Sequence, residues 1–121
     1  MADPDAWYGI SGEQMDPEAY ADVHRAIHDP NTVHTMIEDY RAGLGIDRAH
    51  DEVDRAADRT IACPTLFVWA KQDDLDYLYG NPMDVWRPWA PDLTGESLDC
   101  GHHLSEERPE ELADILLQFF A

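Results

Sequence analysis

The segment 64–69, Pro-Thr-Leu-Phe-Val-Trp, constrains the fold of this chain more than any other. A short, continuous apolar run of this kind is typical of a strand that is buried on both faces of a parallel sheet. Residues 93–98 predict a second, shorter strand, and a helix that begins at Pro82 separates the two strands. A final helix is predicted at 109–120. Strand, helix, strand, helix is a βαβα unit, so the fold class is α/β and the unit spans residues 59–121.

A parallel sheet of two strands is too small to be stable by itself, because its edges present unpaired backbone groups. The segments that precede residue 64 predict helices, so they do not supply more strands. We therefore expect further sheet from sequence upstream of Met1 or from another chain. A second copy that pairs edge to edge is one way to supply it, so a homo-oligomer is an open alternative.

Residues 1–58 predict a helical segment. Two Asp-Pro pairs place a capping aspartate before proline at the first helical position, and they predict helices at 16–27 and 29–44. A third helix, at 47–57, is mostly charged and is expected to lie on the surface. The periodicity of the last helix in the chain places five apolar residues inward: Leu112, Ile115, Leu116, Phe119 and Phe120.

The chain is strongly acidic: its 26 acidic residues outnumber 8 basic ones, and the net charge is −18. Such a chain repels phosphate backbones and anionic membranes, so we expect neither nucleic acid nor a membrane as a partner. It also repels itself unless salt of about 1 M shortens the Debye length to about 3 Å, which favours a salty cytoplasm. No apolar stretch approaches the ~18 residues of a membrane span, and no signal peptide is evident. Cys63 and Cys100 are predicted to be free thiols.

Two loops follow the carboxyl ends of the predicted strands, where ligands gather in open α/β sheets. The first loop carries Asp73 and Asp74, and the second carries His102 and His103. A carboxylate after one strand and a histidine after its neighbour suit the acid–histidine half of a hydrolytic triad. In such a pair the acid orients the imidazole, which activates a nucleophile or water. The alternative is that these acids are merely solvated and the histidines incidental; His103 is expected to point away from the site.

Several motifs resemble those of the α/β-hydrolases, and more specifically those of the haloacetate (fluoroacetate) dehalogenases. Trp-Ala-Lys-Gln-Asp at 69–73 resembles the strand and acid loop of α/β-hydrolases, with alanine where glycine is usual. Gly-His at 101–102, followed by Glu-Glu-Arg-Pro-Glu at 106–110, resembles their histidine loop and final helix. The dehalogenase-like motifs are His-Asp-Pro at 28–30, Met-Ile-Glu-Asp-Tyr-Arg-Ala-Gly at 36–43, His-Asp at 50–51, Pro-Met-Asp-Val-Trp-Arg at 82–87 with Trp-Ala at 89–90, and Cys-Gly-His at 100–102. The resemblance implies the C-terminal portion of an α/β-hydrolase fold: the end of a helical cap, then a βαβα part of the core.

The resemblance also implies a mechanism. In that family an upstream aspartate displaces halide from a small 2-haloacid and becomes an ester, and a histidine then activates the water that hydrolyses it. By position, His102 matches that histidine. Tyr40 matches a cap tyrosine that helps to bind the departing halide, although packing between cap and core is its alternative role. Asp73 is a candidate for the triad acid or a bystander, since these dehalogenases draw their acid from an earlier strand.

The nucleophile, the arginines that hold the substrate carboxylate and a cap His-Trp pair are expected to precede Met1. We therefore expect a fragment that is inactive alone and that binds a haloacid substrate once an N-terminal half completes the site. An esterase or epoxide hydrolase of the same fold, with Asp73 as acid, is one alternative; a non-catalytic, oligomeric remnant is another. His24 and His28 share a helix face with His34 nearby, but a metal needs more convergent ligands. We predict no metal site and no cofactor.

Overall fold

The computed structural model describes residues 3–10, 12–13 and 15–121. The chain divides into two compact units, Met1–Arg59 and Thr60–Ala121, which we call the helical unit and the sheet unit. Within the described residues, no helix combines the length and the apolar character that crossing a membrane requires. The helices of the helical unit are α1 (Pro4–Tyr8), α2 (Pro17–Ile27), α3 (Pro30–Leu44) and α4 (Ile46–Ala56).

Aspartate caps start the first three helices, each with proline at the first helical position. The side chain of Asp16 accepts hydrogen bonds from Glu18 N at 2.8 Å and from Ala19 N at 3.4 Å. Asp29 caps α3 in the same way, so the predicted helices are confirmed, and α4 is confirmed as a surface helix. Helix α1 was not predicted, although Asp3 caps it and carries the same Asp-Pro signal.

The helical unit has a small core. Among the residues that the structure describes in this unit, the buried ones are Ile10, Met15 and Ile27. Partly buried Tyr8, Tyr20 and Val23 pack against them. Helix α3 buries no residue, and its apolar side chains at Ile37, Tyr40 and Leu44 are exposed. Much of the apolar surface of α3 therefore remains uncovered within this unit.

The sheet unit contains two parallel strands, β1 (Thr65–Ala70) and β2 (Leu93–Leu98), among the residues that the structure describes. Their register runs from Thr65 opposite Leu93 to Ala70 opposite Leu98. Both strands were predicted to within a residue. The helices of this unit are α5 (Leu75–Tyr79), α6 (Met83–Trp86), α7 (Leu104–Glu107) and α8 (Pro109–Phe120).

Three expectations for the sheet unit were wrong. The loop expected after the first strand contains α5, and the helix expected to begin at Pro82 is a single turn. Strand β1 is half-buried except at Ala70, because one described strand covers it on one edge only. The core consists of Ala70, Leu98 and Cys100, against which Val68, Leu104, Leu112 and Ile115 pack.

The inward face of α8 is narrower than predicted. Three residues that share one face of the helix are half-buried: Leu112, Ile115 and Phe119. Leu116 and Phe120 lie on the flank of that face and are exposed, Phe120 to 78%. A sheet of two strands is too narrow to cover the flank. Both cysteines are free thiols, as predicted.

Candidate active site

The acid loop and the histidine loop run side by side beyond the strands. The last paired residues of the strands are Ala70 and Leu98. Lys71 N then donates a hydrogen bond to Leu98 O at 2.8 Å, and Gln72 N donates to Cys100 O at 3.1 Å. These two bonds continue the pairing beyond the strands, so the two segments run side by side past the carboxyl edge of the sheet. The side chains that follow are thereby brought to one place.

Asp73 and His102 meet at this edge. Nδ1 of His102 lies 2.6 Å from Oδ2 of Asp73, and the other carboxylate oxygen accepts a hydrogen bond from Asp74 N at 2.9 Å. A bond of 3.1 Å from Gln72 Nε2 to Asp99 Oδ1 links the same two loops nearby. The Asp73 side chain is 26% exposed and that of His102 is 67% exposed. The carboxylate is thus held on both oxygens, while much of the imidazole faces solvent.

The electrostatics favour an ionised carboxylate. The hydrogen bond with His102 lowers the pKa of Asp73; partial burial opposes this effect, and the Asp74 amide and the nearby histidine charges add to it. An ionised carboxylate only accepts hydrogen bonds, so Nδ1 of His102 carries the proton that it donates to Asp73. Nε2 is then the proton acceptor of the ring. The pair has the arrangement of a general base that is oriented by an acid.

Glu107, at the end of α7, holds the histidine loop. Its Oε2 accepts a hydrogen bond from Gly101 N at 2.8 Å, and its Oε1 accepts one from His103 N at 3.2 Å. A Cβ atom at position 101 would lie 2.8 Å from Oε1, so a side chain there would displace the Glu107 carboxylate from this position. Sequence reasoning missed Glu107, because it binds backbone amides rather than another functional side chain. Its signal was a carboxylate one helical turn after the loop.

The other predicted residues lie as follows. His103 is buried, and its ring stands edge-on to that of His102 with 5.2 Å between centroids, so it packs behind the exposed histidine. Asp74 precedes α5 and gives Asp73 its amide rather than its carboxylate. Tyr40 belongs to α3 of the helical unit, where its side chain is 68% exposed. Within the sheet unit, therefore, the structure brings together two of the three predicted residues.

The solved structures that resemble this chain define its class. A protein of Nostoc sp PCC 7120, provisionally described as an α/β hydrolase, superimposes with a TM-score of 0.80 at 36% sequence identity, over 93% of this chain and 38% of that one. A Pseudomonas aeruginosa protein, provisionally described as an epoxide hydrolase, gives a TM-score of 0.76 at 34% identity, over 89% and 36%. The chain therefore carries a C-terminal portion of the α/β-hydrolase fold and is related to hydrolases.

In sequence, the chain resembles a fluoroacetate dehalogenase of Burkholderia sp. The two are 31% identical over 128 aligned residues, which cover 99% of this chain and 41% of the relative. No protein-family model matches the chain. The chain thus spans about two fifths of the length of the relatives that it matches.

Proposed function

We propose that this chain supplies the histidine–aspartate half of the active site of a hydrolase that cleaves the carbon–halogen bond of a small 2-haloacid. The observation that carries the proposal is the 2.6 Å contact between His102 Nδ1 and Asp73 Oδ2 at the carboxyl edge of the sheet. The similarity to the Burkholderia fluoroacetate dehalogenase supports the substrate class.

In the proposed reaction, a carboxylate from a part of the enzyme outside these 121 residues attacks the halogen-bearing carbon. A carbon–oxygen bond forms as the carbon–halogen bond breaks, and the halide leaves with the bonding electrons. His102 Nε2 then takes a proton from water while the water oxygen attacks the ester carbonyl. Asp73 stabilises the imidazolium so formed. As the intermediate collapses, the leaving oxygen of the hydroxyacid takes the proton from the imidazolium, and the nucleophile returns to its carboxylate form as the second proton of the water is lost to solvent.

Asp73 is the proposed triad acid. Its support is the lowered pKa and the hold on both carboxylate oxygens, which together keep it charged and in place. The haloacetate dehalogenases that the sequence resembles draw this acid from an earlier strand. Asp73 competes with such an acid for Nδ1 of His102, because that nitrogen has one proton to donate.

Tyr40 is the proposed halide-side residue. Its exposed phenol can donate a hydrogen bond to fluoride as charge develops on it. Fluoride accepts hydrogen bonds more strongly than chloride does. Tyr40→Phe is therefore expected to slow release of fluoride more than release of chloride, whereas Tyr79→Phe, at another exposed tyrosine, alters neither.

A hybrid enzyme tests the proposal. In this hybrid enzyme, the 121-residue chain replaces the matching part of the Burkholderia dehalogenase, and halide release from fluoroacetate and chloroacetate is measured in molar salt, which the net charge of −18 calls for. We expect repeated turnover, and loss of turnover in His102→Ala. A hybrid enzyme that folds, as judged by circular dichroism and size-exclusion chromatography, and releases no halide overturns the dehalogenase proposal.

An epoxide hydrolase of the same fold is the second candidate, favoured by the likeness to the Pseudomonas protein. The Asp73–His102 pair suits both reactions, because each of them proceeds by hydrolysis of an ester formed on a carboxylate. A second hybrid, built in the same way on the Pseudomonas protein and assayed with epoxides, separates the two. Turnover by this second hybrid, with none by the dehalogenase hybrid, favours the epoxide hydrolase.

A homo-oligomer that pairs through the exposed edge of β1 remains a prediction for the chain by itself. Size-exclusion chromatography in molar salt measures it. If the remainder of the fold covers that edge, we expect the hybrid enzyme to contain fewer subunits than the oligomer of the isolated chain.

A further inference from the structure

A second cluster of carboxylate and histidine side chains lies in the helical unit. Asp5 of α1 faces His24 and His28 of α2. His24 Nδ1 lies 2.9 Å from both carboxylate oxygens of Asp5, and His28 Nδ1 lies 3.8 Å from Oδ1. The two imidazole rings are 4.2 Å apart between centroids. One ligand atom from each of the three residues lies within 4.8 Å of the others.

Local structure explains why the three residues converge. His24 and His28 are four residues apart on α2, so they share one helix face. Gly9 ends α1 in the left-handed conformation, with φ of 73°, and turns the chain away from that helix. Ile10, at the turn, is buried in the core beside Ile27 of α2, and this packing sets α1 against the histidine face.

Outer contacts orient the ligands. Tyr20 donates its hydroxyl proton to Asp5 Oδ2 at 2.9 Å. His28 Nδ1 lies 2.7 Å from His24 O, and a carbonyl only accepts, so this nitrogen carries a proton and Nε2 presents the lone pair. Metal-binding histidines commonly donate their second ring nitrogen to a backbone carbonyl in this way, and such contacts fix tautomer and orientation.

We propose that Asp5, His24 and His28 bind one divalent transition-metal ion, with Zn²⁺ as the ion that the donors fit best. Two imidazoles and one carboxylate suit Zn²⁺ and its neighbours, whereas Mg²⁺ and Ca²⁺ take oxygen ligands. Zinc–ligand bonds of about 2.0–2.2 Å place tetrahedral ligands about 3.3 Å apart. The separation of 2.9 Å between His24 Nδ1 and Asp5 Oδ2 is a little below that value, and one ligand atom from each of the three residues lies within 4.8 Å of the others.

Binding exchanges a proton for the metal. Without metal, His24 Nδ1 donates to the Asp5 carboxylate; with metal, that proton goes to solvent and the nitrogen lone pair binds the ion. The side chains of His24 and His28 are half-exposed, so a fourth position is open to water. The ion joins α1 to α2 directly, and its binding therefore stabilises the helical unit against unfolding.

The test uses the untagged 121-residue chain in 1 M NaCl with excess Mg²⁺, which occupies weak sites on the acidic surface. Calorimetric titration with Zn²⁺ is expected to give one bound ion, and Co²⁺ is expected to give the visible absorption of a low-coordinate site. His50→Gln, at an exposed histidine of α4, serves as the matched control and keeps both signals. His24→Gln and His28→Gln each weaken Zn²⁺ binding at least about tenfold and abolish the Co²⁺ absorption.

Tyr20→Phe keeps all three ligands and removes only the hydroxyl that orients Asp5. It is expected to weaken Zn²⁺ binding about tenfold while the Co²⁺ absorption remains, and unaltered affinity in this variant contradicts the proposal even if a histidine variant unfolds. No Zn²⁺ binding by the unaltered chain overturns the proposal. Unaltered affinity in folded His24→Gln and His28→Gln, or loss of the bound ion in His102→Gln instead, also overturns it.

Discussion

The two units each contain an aspartate that contacts a histidine, and the two pairs differ in what surrounds them. In the sheet unit, Asp73 and His102 are 2.6 Å apart; in the helical unit, Asp5 and His24 are 2.9 Å apart. The pKa of each aspartate is lowered. For Asp73 the hydrogen bond from the histidine is the main cause, whereas for Asp5 burial raises the pKa and is outweighed by Tyr20 and the histidines together.

The surroundings decide what each pair can do. Asp73 and His102 lie in the two loops that follow the carboxyl ends of the parallel strands, and Nε2 of His102 remains as the proton acceptor. Asp5 of α1 faces His24 of α2, and His28 of α2 adds a second imidazole. A single imidazole beside a carboxylate suits proton transfer, and two imidazoles beside a carboxylate suit a metal. A histidine–carboxylate contact by itself therefore does not define a function.

The largest expected effect separates the two aspartates. In the hybrid enzyme, Asp73→Asn keeps the shape of the site but removes the charge and favours the wrong tautomer of His102, so kcat is expected to fall about 10⁴-fold. Asp5→Asn is expected to leave kcat unchanged. Steady-state halide release measures both; equal loss in the two variants contradicts the assignment.

Two glycines test packing in the two units. A Cβ atom at Gly95 in β2 would lie 2.2 Å from Phe67 O of the neighbouring strand, so Gly95→Ala is expected to lower the free energy of unfolding by about 3 kcal/mol. Gly43 in α3 has open space around its Cβ position. Gly43→Ala is expected to raise that free energy by about 0.5–1 kcal/mol. Urea denaturation measures both, and a tolerated Gly95→Ala contradicts the close approach of the strands.

Glu107 tests how the histidine loop is held. Glu107→Ala removes the acceptor for the Gly101 and His103 amides, so His102 is expected to move and kcat of the hybrid enzyme to fall about 10- to 100-fold. KM is expected to change little. Glu110→Ala, at an exposed acid in the first turn of α8, is the control. Equal kcat in the two variants removes Glu107 from a positioning role.

The smallest effect is a pH dependence. The pKa of Asp73 in the folded chain lies below its usual value of 3.8, so its ionised form stabilises the fold. This contribution is full above the unfolded pKa near 4 and is lost as the pH falls through the lower folded value. The unfolding free energy of the chain minus that of Asp73→Asn is expected to shrink as the pH falls below about 4. Asp114→Asn, at an exposed acid of α8, controls for general charge effects; a constant difference down to pH 2 contradicts the lowered pKa.

Local signals in the sequence predicted much of the fold. Aspartate caps with proline fixed the starts of α2 and α3, and the bounds of β2 and α8 agree with the apolar runs. The pairing of Asp73 with His102 followed from the rule that parallel strands end at one edge. Exposure was harder to predict: the periodicity of α8 marks an apolar face, but it does not reveal that two strands leave Phe120 uncovered.

The second cluster could not be predicted in the same way. His24 and His28 were visible as a pair, but Asp5 joins them only because Gly9 turns the chain and Ile10 packs beside α2. That contact spans 19 residues and depends on tertiary packing. Glu107 was missed for a related reason, since its partners are backbone amides that the sequence does not distinguish.

His102→Asn in the hybrid enzyme gives the most direct test of the proposed base. The nucleophile still displaces halide, but without His102 nothing activates the water that hydrolyses the ester. Rapid-mixing halide measurements and intact-protein mass spectrometry are expected to show one halide released per active site, followed by a stable ester and no further turnover. Continued turnover of His102→Asn at the rate of the unaltered hybrid enzyme would contradict the role of His102 as the base.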